Sequence, residues 1–162
     1  GLPTSGWGME SQAPSGQPIH FLCHPCGSNL VVGLVGGAYG EALARLPEGA
    51  NIFVIPAGPV LAAFTREAEG KGGVGNVRDR TDLFSKAEDG TQDVIHLNDL
   101  GNYLVALTHY AVLYQRSTIG LPHALMRADV SPATAPAPET ALLMQEVTDS
   151  VVRNLGLSGL AA

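Results

Sequence analysis

Apolar positions recur at spacings of three and four from Leu100 through Tyr103, Leu104, Leu107, Tyr110 and Ala111 to Tyr114. That period lays one apolar stripe along a helix. Asn98 or Asp99 stands where a side-chain oxygen can cap its first turn, so the helix is expected to run from there to about Gln115. A second stripe, Leu142, Leu143, Val147, Val151 and Leu155, predicts a closing helix from about Glu139 to Leu155. The run Ile52–Ile55 is different: it is continuous, mostly β-branched and closed by Pro56. Such a run is expected of a strand buried on both faces of a parallel sheet. A helix from about Pro59 to Glu69 should follow it, with Pro59 near the first turn, where a missing N–H costs nothing.

Earlier in the chain, Ile19–Cys23 reads as a short buried strand. The glycine-rich LVVGLVGGAYG leads into a helix ending at Leu46, before a Pro47–Glu48–Gly49 turn. Residues 70–92 read as a polar, glycine-rich loop holding a short Asp82–Lys86 segment. The divisions expected are an irregular segment over 1–18, an α/β core over 19–127, a Pro/Ala-rich connector over 128–138, and a helix and tail over 139–162. Strands alternating with helices point to α/β layers around a parallel sheet.

Composition narrows the function. Apolar residues make up 45% of the 162 residues and charged residues 15%, which suits a packed core rather than a disordered chain. The net charge of −6 and the scattered nine Lys and Arg argue against nucleic acid as a partner. No apolar run reaches the ~18 residues a membrane span needs. The first 18 residues lack the apolar stretch of a targeting signal, and a start at Gly1 suggests a trimmed or processed chain.

The chemistry centres on DVIHLNDLG, residues 93–101. An Asp three residues before a His can bring its carboxylate to Nδ1–H within one turn of chain. The bond fixes the tautomer and leaves Nε2 to accept a proton. The same spacing also serves as plain local hydrogen bonding at a helix start. Residues 93–122 resemble the final conserved block of SGNH (GDSL-type) hydrolases, in which an Asp-x-x-His precedes the last large helix. NIFVIPAGPVLAAF resembles the strand and loop before it, and ALLMQEVTDSVV the closing helix of some bacterial members.

That resemblance spans roughly residues 50–155. It implies a doubly wound, flavodoxin-like α/β fold in truncated form, secreted or periplasmic, with Asp93 orienting His96 as general base. The implied reaction is hydrolysis of a small-molecule or carbohydrate acyl ester through an acyl-serine, with no cofactor and no metal. The family's Gly-Asp-Ser nucleophile motif is absent from this sequence, as is its Gly-x-Asn-Asp block. Ser28 in CGSN is the nearest stand-in for the nucleophile. A scaffold without that nucleophile would instead be a non-catalytic accessory or interaction domain, whose exposed apolar surface would favour homo-oligomers.

HFLCHPCG holds both cysteines, Cys23 and Cys26, in a C-x-x-C flanked by His20 and His24. Three readings stay open there: a thiol-disulfide oxidoreductase site, zinc ligation, and buried or locally bridged cysteines. The stretch GLVGGAYG lacks the Lys-Ser/Thr of a phosphate loop and reads as close strand–helix packing. His109 reads as a packed helical residue, His123 as isolated, and Trp7 as an anchor for the amino-terminal arm. Glu10 and Asp79 have no evident partners in the sequence.

Overall fold

In the computed structural model the residues described are the backbone of 9–12, 18–23 and 31–35 and the continuous stretch 53–160. The chain divides into two compact units, Gly1–Asn51 and Ile52–Ala162. Strands β1 (Met9–Gln12), β2 (Pro18–Cys23) and β3 (Val31–Val35) form an antiparallel sheet in that order within the first unit. The strand expected over Ile19–Cys23 is present. Met9–Gln12, expected to be irregular, pairs with it in the register Met9–Phe21. The helix expected to end at Leu46 lies outside the described residues.

The second unit holds α1 (Ala57–Gly70), a 3₁₀ turn (Arg80–Leu83), β4 (Phe84–Lys86), β5 (Gln92–Leu97), α2 (Asp99–Tyr114) and α3 (Pro138–Asn154). It is a mixed helix-and-strand structure. All three helices lie within a residue or two of their expected ends, but the expected α3 stripe is not its buried face. Leu142 is 49% exposed and Leu143, Val147 and Val151 only flank the core, while Tyr114 at the end of the α2 stripe is exposed. Each turns one stripe inward: Val60, Phe64 and Ala68 from α1; Leu100, Leu104, Leu107 and Ala111 from α2; Ala141, Met144 and Val152 from α3. Hydroxyls inside this core are satisfied: Thr148 donates to the Met144 carbonyl one turn back, and Thr140 and Thr118 to the Val74 and Gln145 carbonyls of other segments, all at 2.7 Å.

Among the described residues every strand pairing is antiparallel, so the parallel sheet expected from the alternation of elements is not what these pairings form. Phe53–Ile55 carries no ladder. Val54 N–H makes one bond, to the Leu157 carbonyl at 2.8 Å, Phe53 is 52% exposed, and Ile55 packs on the helical core. A continuous apolar run does not by itself specify a strand: here only Ile55 packs on the core, and Phe53 is left half in solvent.

The Pro/Ala-rich connector is pinned at both ends. The Asp99 carboxylate accepts from Arg127 Nη2 at 2.6 Å and from Thr134 N–H at 2.7 Å. Asn76 then receives Ala137 N–H at 2.9 Å and donates to the Ala135 carbonyl. Asp79 gains a role that its sequence neighbourhood hides: its carboxylate caps the 3₁₀ turn through Thr81 N–H at 2.7 Å.

Candidate active site

The hairpin of β4 and β5 builds the site. Its flanking pairs are Phe84–Leu97 and Lys86–Gln92, with an irregular register between them. β5 therefore spends Asp93, Val94, Ile95 and His96 where β4 has only Ser85. The surplus residues leave the ladder as an outward bulge, a device that re-aims side chains beside functional sites. Val94 and Ile95 are each 76% exposed at its crest.

Asp93 organises the bulge. Its Oδ1 accepts from Ile95 N–H at 2.7 Å and from His96 N–H at 2.9 Å, an Asx-type turn. Its Oδ2 lies 2.7 Å from His96 Nδ1. The two backbone amides, His96 first and Ile95 second, and then the imidazole bond hold the Asp93 carboxyl down at about 2. The carboxylate is ionised at neutral pH and can only accept, so Nδ1 is the donor of this bond, and in the neutral ring Nε2 is the nitrogen left with a lone pair. The imidazole is 77% exposed, against 28% for Asp93, so that lone pair is open to an incoming group.

Asn98 closes the other end of the bulge. Its Oδ1 accepts from Leu100 and Gly101 N–H at 2.9 and 3.2 Å, capping α2 as expected. Its Nδ2 donates to the carbonyls of Asp82 and Phe84 at 2.8 and 3.1 Å, and its backbone N–H to that of Leu83. Gly101 lets α2 come this close: a Cβ there would run into the Leu83 carbonyl and the Leu97 side chain.

Beside the start of α2 lies an open cleft of about 320 Å³, lined by Asn102, Tyr103, His123, Leu125, Met126 and Arg127 among others. The connector forms its far wall. Burial raises the Tyr103 phenol, partly offset by a bond from Gln145 Nε2 at 2.9 Å. The sequence gives no warning of this cleft, because its two walls come from separate segments that Asp99 joins through Arg127 and Thr134.

Of the residues singled out in the sequence, Asp93 and His96 are brought together. His109 bonds the Val105 carbonyl within α2, as a packed helical histidine should, and His123 lines the cleft. Ser28, His24 and Cys26 lie outside the described residues, while His20 and Cys23 are described only as backbone of β2. Among the described residues no group of three or more His, Cys, Asp and Glu is arranged to hold a metal ion, and no helix is long and apolar enough to cross a membrane. Comparison with family models, curated proteins and solved structures finds no match.

Proposed function

We propose that this chain carries the acid–base half of an SGNH-type serine hydrolase, with Asp93 orienting His96 as general base. One observation carries the reading: a 2.7 Å carboxylate–Nδ1 bond, held by a two-amide turn, on an imidazole side chain that is 77% exposed. The resemblance of residues 93–122 to the closing block of that family supplies the reaction class. Under the same proposal α1, α2 and α3 are carboxy-terminal helices of a doubly wound α/β fold.

In the proposed reaction a serine Oγ–H gives its proton to His96 Nε2 as Oγ attacks the ester carbonyl. The tetrahedral intermediate collapses, and the imidazolium returns the proton to the departing alcohol. Water, deprotonated by the same Nε2, then releases the acid from the acyl-serine. The ionised Asp93 stabilises the imidazolium during both steps. Substrates are small-molecule or carbohydrate acyl esters, and the chemistry requires no metal.

A serine-directed fluorophosphonate followed by peptide mapping tests this. Labelling of one serine in the native chain, lost in His96→Ala, is the expected result and names the nucleophile. Absence of labelling in the native chain would leave the alternative, a non-catalytic scaffold.

A further inference from the structure

We propose that Gln92 is a positioning residue for the Asp93–His96 pair, resting on the reading above: its side-chain amide clamps the base of the bulge that presents them. The bulge removes β5 from the ladder opposite Ser85, which leaves carbonyl groups there without strand partners. Gln92 Nε2 takes up that role. It donates to the Ser85 carbonyl at 3.1 Å, to the Asp93 carbonyl at 2.9 Å and, more weakly, to the Thr81 carbonyl at 3.3 Å.

One side chain thus ties three segments together: the 3₁₀ turn, β4 and the residue whose carboxylate holds the imidazole. The Asp93 carbonyl lies one and two peptides before the Ile95 and His96 amides that its own Oδ1 collects. Fixing that carbonyl fixes the direction in which Asp93 leaves the strand, and so the line from Oδ2 to Nδ1. Asn98 performs the matching task at the far end, but it also caps α2, so its substitution mixes two effects. Gln92 sits in no helix, caps nothing and does not touch the imidazole, so its role is separable. Hydrogen bonds that orient a reacting group matter because a displacement of ~1 Å can cost about a hundredfold in rate.

The test reads the imidazole itself. ¹⁵N NMR of the full chain reports which ring nitrogen of His96 is protonated. The native protein is expected to hold the Nδ1–H form. Gln92→Met keeps length and loses both donors, and is expected to admit a substantial Nε2–H population, in the same direction as Asp93→Ala. Ester hydrolysis by the variant should fall about ten- to a hundredfold in kcat with KM little changed.

A Met variant with the native tautomer and native kcat overturns the proposal, because a residue that only adds stability would leave both untouched. Should Gln92→Met fail to fold, Gln92→Glu offers the same length without donors. In the native protein, the Gln92 side-chain amide protons should exchange more slowly than those of an exposed glutamine, and exchange at the free rate also overturns the clamp. A native chain that shows the tautomer effect but hydrolyses no ester would sink the hydrolase reading and leave the positioning role standing.

Discussion

At Asp93 one carboxylate oxygen accepts from two backbone amides while the other faces the imidazole of His96. Asp93→Asn keeps an oxygen for the amides but turns an NH₂ toward Nδ1. The ring must then accept at Nδ1 and carry its proton on Nε2, where it cannot act as a base. Ester hydrolysis is expected to fall by about 10⁴ in kcat with the fold intact, checked by steady-state kinetics beside circular dichroism. The carboxyl also titrates low, from a usual 3.8 down to about 2. A folded value below the unfolded one means that the turn contributes its full stability above pH 3.8 and loses it as pH falls toward 2. The Ile95 and His96 amide resonances should therefore shift with a midpoint near 2, and a midpoint near 3.8 would show that the turn is not formed. Because the leading cause is a backbone amide, His96→Ala should leave that midpoint low. Val130 raises a different residue-scale point, for it adopts φ of 66°, a conformation that β-branched side chains resist. Val130→Gly is expected to raise stability by about 1 kcal/mol, read as a higher Tm.

The extents of the helices were legible because capping, proline placement and apolar period are local, but the buried face of α3 was not: Thr140, Gln145 and Thr148 turn inward beside Met144 while Leu142 faces solvent. Asn98 was legible too, as a polar residue directly ahead of a stripe. The β5 bulge was not: alternation along QDVIHL gives no sign that four residues leave the ladder, since only the pairing with Phe84–Lys86 defines it. Gln92 stayed hidden for the same reason, as its acceptors at Thr81 and Ser85 arrive from another segment. At this scale Gly101 is the sharpest probe. Gly101→Ala puts a methyl against the Leu83 backbone and must push α2 away from the hairpin. A loss of about 1–3 kcal/mol in denaturant unfolding is expected, together with broadened His96 resonances.

Across the Ile52–Ala162 unit, a three-helix core supports a small hairpin whose bulge carries the Asp93–His96 pair. Phe64 is fully buried within that core, so Phe64→Ala should cost about 3–5 kcal/mol and lower activity only through loss of folded protein. The parallel arrangement inferred from alternating elements is not what the described pairings form, because an apolar run such as Phe53–Ile55 does not by itself specify a strand partner. The paired residues Asp93 and His96 were readable since their whole geometry fits inside one turn of chain. A serine partner for His96 is not readable in the same way, as nothing local in the sequence ties a serine to Nε2. The direct test of the central claim is the rate of hydrolysis of a short acyl ester by the native chain and by His96→Ala. Hydrolysis by the native chain that drops at least about a thousandfold in the variant is expected for a general base. Equal rates in the two proteins, or no hydrolysis by the native one, would contradict it.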